Sequence, residues 1–435
     1  MVDEKYNSIV EYLDKINQYT NDTGVSRGRK LLRQLGYPQE GQKIIHVAGT
    51  NGKGSVCAYT ASIFKECGYR VGLFTSPHLV DIRERIQING QMAEKEQFIK
   101  SFILVREAEQ KIRQQEPDFK AAYFDYIFAM AMIIFSQEKV DFIVLETGLG
   151  GRLDITNAVE KPVVSVITTI SLEHTAILGD TVEKIAAEKA GIIKEGIPVI
   201  YCNDNPAVSG IIESTAADLR SMAVPVSAGD YEIIRNTGNH IDFSLHNEYY
   251  KCNCFSITTA ALYQVMNASL ALTAASVAAR RTGTYLCQEG IDKGVRKMYW
   301  PGRMEEVLTD VYIDGAHNPQ GIAAFVETAD EICQKRGVSA VLLFSVVSDK
   351  DYGRMIKILE GCRHFKSVLV AQTGGKRQLS KEKIASGFLH NRDIEVYEFE
   401  SVTDAFEYGQ KNKEGLMFCA GSLYLAGEIK EYLKK

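Results

Sequence analysis

The chain has 435 residues, 45% hydrophobic and 24% charged, enough for two or three domains with cores of their own. A net charge of −5 excludes a global attraction to nucleic acid or to an acidic membrane, so an anionic substrate must be held by local cations and backbone N–H groups. The nine cysteines are scattered and odd in number, which points to reduced thiols in a cytoplasmic protein. The one close pair, Cys252-Asn-Cys254, lacks the second pair that zinc spacing requires.

The N-terminal stretch "MVDEKYNSIVEYLDKI" is acidic and amphipathic, without the basic and apolar regions of a signal peptide. "KIIHVA" (43–48) reads as a buried strand, and 55–67 carries apolar residues at helical spacing. "YRVGLFTS" (69–76) is a second strand and "IRERIQI" (82–88) a third, followed by helical patterns at 93–115 and 121–137. The apolar run "YIFAMAMIIF" is too short to span a bilayer. "VDFIVLE" and "PVVSVITTI" are β-branched runs of the parallel-sheet kind. A helix over 181–194, a strand at "GIPVIYC", short strands across 223–257 and a helix over 259–281 complete this half.

Pro301 and Gly302 in "YWPGRMEEV" break helicity and mark a domain junction. Beyond it, "VYIDGA", "AVLLFSVV", "KSVLVAQ" and "GLMFCAG" alternate with helical segments. The expected fold class is α/β: a P-loop ATPase-like domain over 1–298 and a smaller Rossmann-like α/β domain over 299–435, with the ligand site in their cleft.

"HVAGTNGKGS" lies between a strand and a helix, the context of a phosphate cradle, yet it departs from the usual loop. Val47 stands where the first glycine belongs, and Gly54 separates Lys53 from Ser55. Gly49, Thr50, Asn51, Gly52 and Gly54 can present backbone N–H groups to phosphate, Lys53 adds a point charge, and Ser55 a hydroxyl for phosphate or metal. The bland alternative is a glycine-rich turn with a solvated lysine.

With its extra glycine the loop resembles that of the folylpolyglutamate synthase/dihydrofolate synthase family, in the Mur ligase superfamily. "TSPHL", "ERI", "LETGLGGRLDITN", "EHTAILGDTVEKIAAEKAGIIK", "WPGRME", "DGAHNP" and "AGSLYL" resemble the family's motifs in their order and approximate spacing. The resemblance implies that ATP is the co-substrate and that Mg²⁺ sits between its β- and γ-phosphates, held by Ser76, Glu146 and His174. Glu146 has a further warrant, since carboxylates at the ends of buried strands are where α/β proteins present function. Taken alone, His174 reads as a hydrogen-bonded loop histidine. Lys189 reads as a surface lysine paired with Glu188 or Glu183. The resemblance instead makes it a carboxylated lysine holding a second Mg²⁺, and that chemistry needs a neutral amine.

Gln264 and Asn267 share a helical face and can match the edge of adenine. The resemblance assigns Arg303 to the ATP phosphates, and Asp314 and His317 to the ribose and phosphate region. Capping of the next helix is a role open to Asp314 and Asn318. For the acceptor, Asp154 can pair with a pterin's N–H groups, with Arg152 beside it. Phe124 is either a stacking platform or a core aromatic. Arg85 and Lys350 are candidate cations near the acceptor or the incoming glutamate. The chain departs from the family at Ala122, Asp125, Glu173 and Tyr263, where a hydroxyl residue (in some members), Glu, Asp and His are usual.

The implied reaction is an ATP-dependent ligation of L-glutamate to a folate or dihydropteroate carboxylate through an acyl phosphate, by a monomer with no nucleic-acid or membrane partner. The competing readings are a peptidoglycan-type Mur ligase acting on a sugar nucleotide, and a P-loop kinase or switch.

Overall fold

The computed structural model describes residues 2–16, 23–374, 378–388 and 394–434. The chain forms two compact units. The first comprises Met1–Glu232, Phe243–Ser256 and Val265–Met298; the second comprises Ile233–Asp242, Ile257–Gln264 and Tyr299–Lys435. A single cut at residue 299 therefore misses two short segments, 233–242 and 257–264, that group with the second unit.

The first unit is built on an eight-stranded sheet. Its strands are β1 (Lys43–Ala48), β2 (Val71–Phe74), β3 (Ile86–Ile88), β4 (Gln91–Met92), β5 (Phe142–Glu146), β6 (Val164–Ile167), β7 (Val199–Cys202) and β8 (Ala223–Val226), in the order β4-β3-β2-β5-β1-β6-β7-β8. All pairings from β2 to β8 are parallel, while β3 and β4 add an antiparallel edge. Burial on both faces explains the continuous apolar runs: β2, β5, β6 and β7 are buried throughout. The helix Tyr123–Gln137 is buried from Asp125 to Phe135, which is why its sequence is apolar all round.

The expected third strand is half right. Residues Ile82–Arg85 form a 3₁₀ turn and only Ile86–Ile88 pair. Local carboxylates decide this. Asp81 accepts from the Arg83 N–H at 2.9 Å, and Glu84 folds back onto the N–H groups of Leu79, Val80 and Asp81 at 2.7 to 3.0 Å.

Residues 231–257 supply β9 (Tyr231–Asn236), β10 (Ile241–His246) and β11 (Lys251–Ile257), a separate three-stranded sheet. The second unit carries β12 (Glu305–Leu308), β13 (Val311–Ile313), β14 (Ala340–Phe344), β15 (Phe365–Ala371), β16 (Glu395–Phe399) and β17 (Leu416–Ala420), ordered β12-β13-β17-β14-β15-β16. Only β12 is antiparallel. Among the described residues no helix is long and apolar enough to cross a membrane.

Candidate active site

Strand β1 lies between β5 and β6, with Val47 opposite Glu146 and Ala48 opposite Ile167. The turn leaving β1 therefore emerges between the two segments that follow β5 and β6, at the carboxyl edge of the sheet. Helix Lys53–Glu66 starts at once, with Gly52 as its N-cap in the left-handed region at φ 85°. A Cβ there would lie 2.3 Å from Asn267 Oδ1, and one on Gly49 would lie 1.8 Å from Thr168 Oγ1. Close approach, as well as φ, makes these two positions glycine. The segment after β6 braces the loop from behind. Thr169 O accepts from the Thr50 and Asn51 N–H groups at 2.8 and 3.3 Å, and Thr168 Oγ1 donates to Asn51 O at 2.7 Å. Lys53 Nζ donates to Thr50 O at 3.1 Å.

Glu146 ends β5 and is 3% exposed; its Oε2 accepts from the Ser76 N–H at 2.9 Å, which draws the end of β2 to the end of β5. Ser55, in the first turn of the glycine-loop helix, is 1% exposed. Two hydroxyls that sequence reasoning did not single out lie at the same edge. Thr147 Oγ1 and Ser171 Oγ are buried without a hydrogen-bond partner, and the Thr147 N–H is tied to Val47 O at 2.9 Å. Their position just past buried parallel strands was a usable signal. A donor set of hydroxyl and carboxylate oxygens with two unmet hydroxyls fits Mg²⁺, which selects oxygen ligands. His174 stands in the left-handed region at φ 50°, on the segment after β6, with Nε2 3.8 Å from Glu173 Oε1. A non-glycine residue held at positive φ is unusual and is more often found where a side chain must be aimed.

Lys189 is not a surface lysine. It is 4% exposed, and its Nζ donates to Gly49 O at 2.6 Å, on the phosphate loop itself. Burial, helped by the charge of Lys53, lowers its pKa to about 7, against the opposing pull of Glu173 and Asp154. Glu188 pairs with Arg152 instead.

The acceptor candidates fare differently. Asp154 is 7% exposed and both its oxygens are occupied by the chain's own donors. Oδ2 takes the Gly148 and Leu149 N–H groups at 3.1 and 2.9 Å, and Oδ1 takes the Thr156 N–H and hydroxyl at 3.0 and 2.6 Å. It therefore organises the 148–156 turn rather than presenting a carboxylate to a ring. Arg152 is exposed and donates to Glu188 Oε1 at 2.5 Å. Phe124 is half-buried, 5.6 Å from the Phe74 ring and so close to Gly148 that a Cβ there would sit 2.5 Å from its edge. Arg85 is buried, donating from Nε to His78 Nδ1 at 2.9 Å and lying 5.5 Å from the Tyr123 ring centre. Burial and the Arg85 charge lower the His78 pKa to about 4. Asp125 serves the fold: it forms a buried ion pair with Arg27 and, as the third residue of its helix, accepts from the N–H of the N-cap residue Ala122 at 2.8 Å.

In the second unit Asp314 follows β13 and is 3% exposed. It accepts from the Tyr263 hydroxyl at 2.7 Å and from the Met304 and Ala316 N–H groups at 2.8 and 2.7 Å. Tyr263, one of the departures from the family pattern, thus anchors Asp314. Asn318 caps the helix Pro319–Arg336 through the Gly321 N–H. His317 Nδ1 donates to Gly315 O at 2.7 Å, which places a proton on that nitrogen. A Cβ on Gly315 would lie 2.5 Å from Arg303 Nη1, so its absence lets the guanidinium lie over this turn. Gln264 and Asn267, on the helix Tyr263–Thr282, are both buried.

Residues 47–275 match the Mur ligase middle domain, and residues 302–423 match the Mur ligase glutamate ligase domain. Such domains define an α/β ligase fold with a nucleotide loop on its first sheet. The chain is 34% identical over 424 residues to dihydrofolate synthase/folylpolyglutamate synthase of Bacillus subtilis, covering 94% of this chain and 95% of that one. It superposes on the apo form of L. casei folylpolyglutamate synthase with a TM-score of 0.86 at 29% identity, covering 99% and 100% of the two chains. A folylpolyglutamate synthase complex with AMPPCP and folate gives 0.85 at the same identity and coverage. The chain belongs to the folylpolyglutamate synthase/dihydrofolate synthase family of Mur ligases.

Proposed function

We propose that this protein is an ATP-dependent ligase that adds L-glutamate to a carboxylate of folate or dihydropteroate, releasing ADP and phosphate. The observation that carries the reading is the assembly at the carboxyl edge of the first sheet. A braced glycine loop with Lys53 lies beside Glu146, Ser76 and two buried, unmatched hydroxyls. That assembly suits transfer of a γ-phosphoryl group, where catalysis is mostly positioning and charge neutralisation. The named relatives, one of them held with an ATP analogue and folate, supply the acceptor class.

Free carboxylate is a poor electrophile, so ATP converts it to an acyl phosphate and the glutamate amine then displaces phosphate. Lys53 and the loop N–H groups offset the charge that gathers on the moving phosphoryl. Ser55, Ser76 and Glu146, with His174, would hold Mg²⁺, which neutralises phosphate charge when bound. Lys189, with its pKa near 7, is neutral in a sizeable fraction at physiological pH. Its amine lone pair can add to CO₂ and lose a proton, giving a carbamate that keeps one N–H for Gly49 O and offers oxygens to a second Mg²⁺. Gln264, Asn267, Arg303, Asp314 and His317 keep the nucleotide roles that the family resemblance implies. For the acceptor, half-buried Phe124 and Arg85 fit better than Asp154.

The test offers purified protein dihydropteroate and tetrahydrofolate separately, with MgATP and labelled glutamate. Glutamylated product with one ADP per bond is expected, and lost in Glu146→Ala. ATP consumption without such product from either acceptor would sink the reading.

A further inference from the structure

Asp330, Cys362 and His364 are none of the nucleotide or acceptor candidates, and they meet one another in the second unit. Asp330 projects from the helix Pro319–Arg336, whereas Cys362 and His364 follow the helix Tyr352–Glu360 on the turn into β15. One donor atom from each residue lies within 4.8 Å of the other two. His364 Nδ1 is 2.7 Å from Asp330 Oδ1, and Cys362 Sγ is 3.6 Å from the same oxygen. We propose that these three side chains form a structural site for a divalent transition metal, Zn²⁺ by preference, clamping the turn 361–364 to the helix Pro319–Arg336.

Donor chemistry favours zinc. Thiolate, imidazole and carboxylate together suit Zn²⁺ and are a poor set for Mg²⁺ or Ca²⁺. Tetrahedral zinc with bonds of about 2.0–2.3 Å puts its donors roughly 3.3–3.7 Å apart. The Cys362–Asp330 separation of 3.6 Å already falls in that range, and the His364–Asp330 separation of 2.7 Å must open by about 0.6 Å, which side-chain rotation can supply. The Asp330 and His364 side chains are 45% and 30% exposed, which gives a metal a way in, while Cys362 is 3% exposed and supplies a dry wall. Three protein donors meet here, which leaves the fourth tetrahedral position to water and makes Cys362 the one sulfur ligand. Sequence spacing hid the site, because its members come from two separate segments. Burial raises the Cys362 thiol to about 11. Metal must displace that proton, so affinity should climb with pH.

The experiment strips the full-length protein with chelator and titrates it with Co²⁺ in magnesium buffer. One equivalent should produce tetrahedral d–d bands with a thiolate-to-cobalt charge-transfer band, and Zn²⁺ should displace it and raise the unfolding temperature. Cys362→Ser should abolish the sulfur band. His364→Gln, at a half-exposed position, should weaken Co²⁺ binding about 10–100-fold while glutamylation stays unchanged. Should Cys362→Ser fold poorly, His364→Gln decides alone. Binding without a sulfur band, or undiminished in His364→Gln, would show that the trio is only a hydrogen-bonded tie and overturn the proposal.

Discussion

Two glycine-rich turns lie side by side in the first unit, one after β1 and one after β5, and their glycines do opposite work. Around the phosphate loop, Gly49 and Gly52 have positive φ and bring backbone against Thr168 and Asn267. The Thr50 and Asn51 N–H groups, expected to face phosphate, are bonded to Thr169 O, which leaves that task to the N–H groups at the helix start. Around the 148–156 turn, Gly148, Gly151 and Gly191 let the turn close onto Phe124, the backbone of Glu188 and Lys189, and the side chain of Arg152. Asp154 then holds the closed turn from within. A glycine cluster after a buried strand thus marks close packing; whether it marks a ligand depends on which donors and acceptors remain unmatched.

The contrast can be broken most forcefully at the first turn. Lys53→Ala should lower kcat for glutamate-dependent ADP formation by about 10²–10³-fold, with an unchanged unfolding curve. A fall in stability instead would make the loop lysine structural. Lys189→Ala should cost about 10–100-fold in rate, and an intact-mass measurement of the native protein should find the mass of one added CO₂ that the variant lacks. Wild-type rate should also fall as pH drops through about 7, since protonation removes the reactive amine. The stability linkage has a definite sign: the folded-state pKa lies below the ordinary lysine value of 10.5, so the unfolded chain binds more protons between about 7 and 10.5. Lys189 therefore adds stability as pH rises through that window and loses it as pH falls, and urea midpoints of Lys189→Met should show a flatter profile.

At the second turn the expected currency is stability. Asp154→Asn puts an amide N–H₂ against backbone and hydroxyl donors, and should cost about 2–3 kcal/mol by urea denaturation. An unaltered midpoint with a raised KM for the acceptor would return Asp154 to the pterin. Arg152→Ala removes an exposed ion pair and should change stability by less than about 1 kcal/mol. An unchanged KM for the acceptor would remove Arg152 from that site as well.

Much of the frame was legible. β1 runs from Lys43 to Ala48, as expected, and the helix expected over 55–67 starts two residues earlier, at Lys53, because the glycine loop feeds straight into it. The stretch 82–85 misled, because three local carboxylate bonds outweigh an alternating pattern of only seven residues. Lys189 misled in its bland reading because its neighbour Glu188 was the obvious partner, yet a helix turns adjacent residues to different faces, and Glu188 faces Arg152. The departures at Asp125 and Tyr263 became intelligible only through partners far away in the chain, Arg27 and Asp314.

The succession of strands and helices along the chain, the phosphate loop and the family follow from local pattern, because periodicity, glycine spacing and strand-end carboxylates are written over a few residues each; the order of strands within each sheet does not. Which polar groups face a ligand and which hold the fold together was decided by tertiary structure alone. A buried carboxylate or amine takes its role from whichever opposite group the fold brings within about 3 Å. That is why Asp154, chosen for a substrate, turned inward, and why Lys189, which read as a surface residue, lies against the phosphate loop.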